Sequence, residues 1–429
     1  MQSKRPPIVI VVAFTVVFGF LNMAVPAFAA SQEKVLYSFC SLSNCADGQT
    51  PESSLIFDAE GNLYGSTFDG GAYGLGSIFQ LVPGSGGTWT EKVLYSFCST
   101  TNCADGTNPE GLIFGKNGKL YGIAQTGGGY GFGAVFQLAR GKGGTWSQKV
   151  LYNFNASGAD GYYPYTGLIV DATGNLYGVT EWGGTFGDGI VFQLTEGPKG
   201  KWREKTLHSF NDNGKDGYAP FSGLMFDPAG NLYGTTTRGG DSGTGCGGNG
   251  CGIVFQLTPG VKGKWTEKVL HNFNDNGKDG FDPWAGVVRD EAGNLYGTTT
   301  AGGASSCGTV FQLAPGVSGK WTEKVLHSFE KDGTDGCVPL AGLVVDGAGN
   351  MYGTTFYGGA YGDGTVFELK PNTNGKWTEK VVHTFNWSIY VKDGTFPGAG
   401  LTLDTKGNLY GTTENGGALN LGTVFEFTP

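Results

Sequence analysis

Seven near-copies of one pentapeptide, Gly-Asn-Leu-Tyr-Gly, constrain this chain more than any other feature. Their tyrosines are Tyr64, Tyr121, Tyr177, Tyr233, Tyr296, Tyr352 and Tyr410, spaced 57, 56, 56, 63, 56 and 58 residues apart. A fixed period of this length means one supersecondary unit used repeatedly, so single motifs are read only against the repeat. Upstream of each copy lies an Asp-Gly-x-x-Pro loop that starts at Asp47, Asp105, Asp160, Asp216, Asp279, Asp335 or Asp393, with the final Pro in every copy. Downstream come Gly-Gly, a strand-like segment such as 308–313, and then a Trp-Thr-Glu-Lys-type segment such as 321–329. Each unit thus offers four short strands, in the sixth copy a (342–346), b (351–355), c (364–369) and d (377–385). The a–b connection, Asp-x-x-Gly-Asn, is hairpin chemistry, because Asp bonds nearby backbone and Gly or Asn adopts positive φ. No segment sustains a 3.6-residue apolar period, so helices should be nearly absent.

About 56 residues for four antiparallel strands is the length of a propeller blade. The ends distinguish a closed ring from an open stack. The seventh repeat stops after strand c at 422–429, while an orphan strand d stands at 33–39. Pairing the two completes a seventh blade and removes both exposed edges. A solenoid would instead need atypical capping repeats. The expectation is an all-β, seven-bladed β-propeller, four antiparallel strands per blade, closed by the N-terminal strand. The 79 Gly residues fit a chain dense in tight turns, and hydrophobic residues at 39% suffice for a large core.

Residues 1–29 read as a signal peptide. Lys4 and Arg5 form the charged region, 8–21 the apolar region, and Ala27-Phe28-Ala29 the small-residue cleavage site. The apolar run is short for a spanning helix and is followed by Pro26. Residues 30–429 then form the propeller, secreted or periplasmic, with no membrane insertion after cleavage, and a monomer is expected. Eight cysteines in an exported chain point to disulfides. Cys40 and Cys45, Cys98 and Cys103, and Cys246 and Cys251 are closely spaced pairs, and Cys307 and Cys337 are left over and must meet across the fold if they pair. The alternative, zinc, needs two such pairs to converge. The net charge is −9, and two units more negative without Lys4 and Arg5, which argues against a nucleic-acid partner.

Taken together, Asp-Gly-x-x-Pro, Asp-x-x-Gly-Asn-Leu-Tyr-Gly-Thr-Thr, Gly-Gly and Gly-Thr-Val-Phe resemble the GloVer tandem repeat of exported bacterial proteins. The resemblance spans 33–429 and implies a propeller-like fold. It implies no established activity and no catalytic residues. Members carry assorted C-terminal anchors, and none is expected from this sequence.

Repeat position also sorts structural from functional residues. His208, His271, His327 and His383 share one strand-d position with Tyr37, Tyr95 and Tyr152, which reads as packing with a polar tip. Gly-rich 127–133 lacks the following helix that a phosphate loop requires. The seven loop aspartates are expected to ring the central opening and to accept backbone hydrogen bonds from their own loops. A Ca2+ site built from them is the alternative, and otherwise no cofactor is expected. Aromatics after the Asp-Gly steps of repeats three to five (Tyr162, Tyr163, Tyr165, Tyr218, Phe221, Phe281 and Trp284) suit the faces of sugars. Tyr163, Trp182, Tyr218, Arg238, Phe281 and Trp284 are therefore the expected ligand-binding residues, with carbohydrate or a cell-surface protein as partner. No catalytic set stands out. Asp282 with Asp241, Glu181 or Asp188 is the weak carboxylate offer for the alternative, a glycoside hydrolase or polysaccharide lyase. A structural or protein-interaction scaffold is the third possibility.

Overall fold

A computed structural model of the protein describes residues 33–241, 246–388, 390 and 392–429; the expected signal peptide lies outside them. The described chain forms seven four-stranded antiparallel sheets, one per repeat. In blade 3, strand a is Ile169–Val170, b is Leu176–Thr180, c is Ile190–Glu196 and d is Trp202–Ser209. The other blades repeat this order, and blade 2 has a longer strand a, Thr107–Phe114. Helical structure among the described residues amounts to three-residue 3-10 turns. Strand b is buried along its whole length, whereas strand d begins with alternating half-buried and exposed positions, as an outer strand should.

Each part of the repeat motif has a physical role. Asp171 Oδ1 accepts the backbone N–H groups of Thr173, Gly174 and Asn175, closing the a–b hairpin. Its Oδ2 accepts from Asn175 Nδ2 at 2.7 Å and the Tyr177 hydroxyl at 3.0 Å, and Gln193 on strand c donates to that hydroxyl at 2.6 Å. The second Gly of the pentapeptide must lack a side chain, since a Cβ on Gly178 would lie 2.7 Å from the Phe192 ring. The Gly before strand c serves blade contact. Gly133 has φ +95°, and a Cβ there would meet Pro164 of the next blade at 2.6 Å.

The core lies between blades rather than within them. One layer joins Tyr177, Val179, Val191, Leu207 and Phe210 of blade 3 to Leu224, Leu232, Ile253, Phe255 and Leu257 of blade 4. A bulge after Thr206 shifts the register of strand d, and His208 near its end and Phe210 just beyond it touch edge to face at 4.7 Å. Phe210 in turn meets Phe255 of the next blade at 5.2 Å. Burying one such ring stabilises by about 2–3 kcal/mol, and every blade boundary repeats the pair.

The ring closes as the repeat count predicts. Glu33–Ser38 pairs antiparallel with Thr423–Phe427 as the outer strand of blade 7. Phe39 then packs on Phe79 of blade 1 at 5.0 Å, and the Thr412 hydroxyl donates to the Ser53 carbonyl across the same seam. All eight cysteines are paired: Cys40–Cys45, Cys98–Cys103, Cys246–Cys251, and Cys307–Cys337 between blades 5 and 6.

Candidate functional site

The two loops after strands b and d share one face of the ring, because short ladders join them. Gly161 and Tyr162 pair with Gly183 and Trp182, and Gly217 and Tyr218 with Gly239 and Arg238. On this face the seven loop aspartates turn toward the end of the preceding strand d. Asp47 accepts from the Tyr37 hydroxyl at 2.7 Å and from the Ser41 backbone and hydroxyl. Asp105 takes Tyr95 and Ser99 in the same way. His208, His271, His327 and His383 place Nε2 3.0–3.3 Å from Asp216, Asp279, Asp335 and Asp393. Asp160 accepts the Asn155 and Gly161 N–H groups, and Tyr152 bonds to it as well. The shared Tyr/His slot is thus the partner of the loop Asp, and none of these aspartates lines the central cavity.

The cavity is lined instead by the residue after the loop proline. Around the ring that position reads Glu52, Glu110, Tyr165, Phe221, Trp284, Leu340 and Gly398, and all seven line a cavity of about 440 Å3 at the central opening. The backbone framework is sevenfold, but these side chains are not. Aromatics of blades 3–5 form one wall: Phe221 and Trp284 stack at 4.9 Å and 18°, and Tyr165 meets Phe221 edge-on at 4.8 Å. The Trp284 indole N–H donates to Asp282 at 3.2 Å, which fixes the plane of the ring.

Carboxylates of blades 7, 1 and 2 form the other side. Glu414 follows strand b of blade 7 and uses the space left by Gly398, where a Cβ would come within 2.6 Å of its Oε1. Glu110 is 8% exposed. Burial, with Glu52 and Glu414 nearby, holds its carboxyl well above the usual range. Glu52 is pushed up to about 8, by burial first and then by Glu414 and Asp69, and burial lifts Glu414 to about 7. Among the described residues, no Lys, Arg or His lines the cavity to balance them. Leu112, Leu168, Leu343 and Leu401 supply apolar lining.

Of the residues expected to bind ligand, Trp284 lines the cavity; Tyr163, Trp182, Tyr218, Arg238 and Phe281 stand on the surrounding face. Tyr163 packs between Phe132 and Tyr162, Tyr218 is buried opposite Arg238, and Phe281 packs against the core. Arg238 lies close enough to pull the pKa of Asp282 and of Tyr218 downward, although burial dominates both and leaves them raised. The expected carboxylates are spread over the face: Asp188 accepts the Asp212 N–H, Glu181 is raised by burial and lies within electrostatic reach of Tyr165, and the Asp241 N–H donates to Asn272. Glu52, Glu110 and Glu414 were not singled out from the sequence. The signal for the first two was present, since the position after the proline varies from repeat to repeat.

A propeller with a symmetry-breaking cavity at its central mouth is the class these features define. The chain belongs to the Gloeobacter/Verrucomicrobia repeat family, whose pattern it matches over residues 25–247 and 244–429. No curated protein matches it in sequence. Among solved structures it is similar to the extracellular domain of a protein assigned as a hybrid two-component system of B. thetaiotaomicron, with a TM-score of 0.52 and 13% identity. That match covers 93% of this chain and 41% of the other, so this chain spans about two-fifths of that domain's length. It is similar as well to an assigned oxidoreductase (glucose dehydrogenase) of Thermus thermophilus, with a TM-score of 0.45, 16% identity and coverage of 78% and 98%. The NanB sialidase of Streptococcus pneumoniae matches with a TM-score of 0.44 and 11% identity, covering 92% and 70%. These likenesses concern the fold. Four disulfides fit an extracytoplasmic protein, and among the described residues no helix is long and apolar enough to cross a membrane.

Proposed function

We propose that this protein is a secreted or periplasmic binding module that takes carbohydrate at the mouth of its central cavity. The observation that carries the reading is the single position after the loop proline, where a uniform scaffold presents Glu, Glu, Tyr, Phe, Trp, Leu and Gly in turn. A residue needed only for the blade would recur in all seven. Sugars present C–H faces that stack on flat rings and hydroxyls that donate to carboxylates, and this cavity sets one beside the other. Its volume, about 440 Å3, suits a ligand of one or two sugar rings.

The test is a glycan array probed with the purified protein and with Trp284→Ala. Retention of glycans by the wild type, reduced about tenfold in the variant at an unchanged melting temperature, supports the reading; one ring stack is worth about 1 kcal/mol beyond the area it covers. Equal retention by both proteins overturns it. Release of new reducing ends from a retained glycan replaces the binding module with a hydrolase.

A further inference from the structure

The cavity carries an electrostatic demand that a neutral sugar leaves unmet. Glu110 is nine-tenths buried and lines the cavity, and no hydrogen bond between described residues involves its carboxyl group, whose oxygens are left to face the cavity. A buried acid without a partner holds its proton until a positive charge arrives to pair with it. Here the side chains nearest in charge are two more acids, Glu52 and Glu414, which add repulsion. Tyr165 sits within reach of all three and of Glu181 as well. Opposite stands the face-to-face pair Phe221 and Trp284, with Tyr165 edge-on to Phe221. Aromatic faces are negative at their centres and attract cations.

We propose that the ligand carries a protonated amine, and that the natural class is an amino sugar with a free ammonium group. The ammonium sits among Glu52, Glu110 and Glu414, and the apolar face of the pyranose ring lies on Trp284. Three glutamates, one of them nine-tenths buried with no bonded partner, and an aromatic wall all favour positive charge, and among the described residues no Lys, Arg or His lines the cavity to favour an anion. This inference rests on the carbohydrate reading above and narrows it.

Titration calorimetry decides between the cases, using the disaccharide of glucosamine, its fully N-acetylated counterpart and cellobiose, all at one pH and ionic strength. Acetylation removes the charge and keeps the ring. The expected result is that the glucosamine disaccharide binds at least about tenfold more tightly than either neutral sugar, in line with a desolvated ammonium among carboxylates and rings. Glu110→Gln and, separately, Glu414→Gln should shrink that preference to within about threefold; using both variants keeps the test intact if one fails to fold. Trp284→Ala should weaken all sugars alike. If the neutral sugars bind as tightly as the charged one, or if the preference survives both glutamine variants, the ammonium assignment is overturned while the carbohydrate reading stands. If no sugar binds here and the array retains none, both are overturned.

Discussion

Asp227 shows how one side chain closes a blade. Its carboxylate accepts the Ala229 and Asn231 N–H groups, the Asn231 amide and the Tyr233 hydroxyl. Burial alone would raise such a carboxyl, but the hydrogen bonds outweigh it and hold the acid form off; in blade 3 they hold Asp171 at about 2. A depressed native pKa gives stability that is present above the unfolded carboxylate pKa and is lost as the pH falls toward 2. Asp227→Ala should therefore cost about 1–3 kcal/mol at neutral pH by urea unfolding, and much less near pH 2. A variant as stable as wild type at pH 7 would contradict this role. At this scale the sequence was readable, since Asp, Asn and Tyr recur at fixed offsets. Blade 2 departs from the pattern with Gly115 in the Asp position, and there the Tyr121 ring fills the space a Cβ would need. The cavity was readable only in part. Tyr165, Phe221 and Trp284 stood out as aromatics, but their neighbours after each Asp-Gly were equally aromatic, and only the fold separates those that point to the opening from Tyr162, Tyr163, Tyr218 and Phe281. Glu414 lies far from the loop prolines in sequence and reaches the cavity across Gly398, a relation that no linear pattern contains.

Among the elements, strand d holds an unexpected set of acids. The Glu of its Glu-Lys step, two residues after Trp in every case but Glu33, lies beside the loop Asp of the preceding blade boundary. Burial first, then that Asp, pushes Glu33 and Glu91 up to about 8 and Glu204, Glu267, Glu323 and Glu379 to about 7. His208, His271 and His327 lower Glu267, Glu323 and Glu379, and a bond from Thr206 lowers Glu204, without reversing the shift. The groups facing Glu323 are Asp279 and His271, and its Oε1 has no hydrogen-bond partner among the described residues. A carboxyl whose native pKa exceeds its unfolded one binds more protons when folded, so its stability is full below about pH 4.5 and is lost as the pH rises through 7 to 8. With six such groups, the melting temperature should fall steadily between pH 5 and pH 9. Blade 2 supplies a natural comparison, since Gln148 occupies this position and donates to the Asp105 carbonyl at 2.9 Å. Glu323→Gln should accordingly raise the melting temperature at pH 8.5 and change it little at pH 5. A flat pH profile of wild type over this range would sink the account.

For the whole molecule, repetition and its breakage divide the work. Seven equal blade boundaries, each with its Phe pair and Asp latch, build a ring in which no blade is an end, because Glu33–Ser38 completes blade 7. Such a scaffold leaves the inner mouth free to vary. It also presents a second variable zone, the outer loop tips, where Tyr73, Tyr130, Phe186 and Tyr361 are exposed on the same face. Each of these rings belongs to the loop after strand b of a different blade, whereas the cavity gathers rings and acids of several blades in one place. The most direct measurement is the affinity of one array-selected glycan for wild type, Trp284→Ala and Tyr130→Ala, by calorimetry at matched folding stability. A loss of about tenfold for the cavity variant with less than about twofold for the rim variant is the result expected of a ligand held at the central mouth. A rim variant that loses binding while Trp284→Ala retains it would place the ligand elsewhere on the face and contradict the central claim.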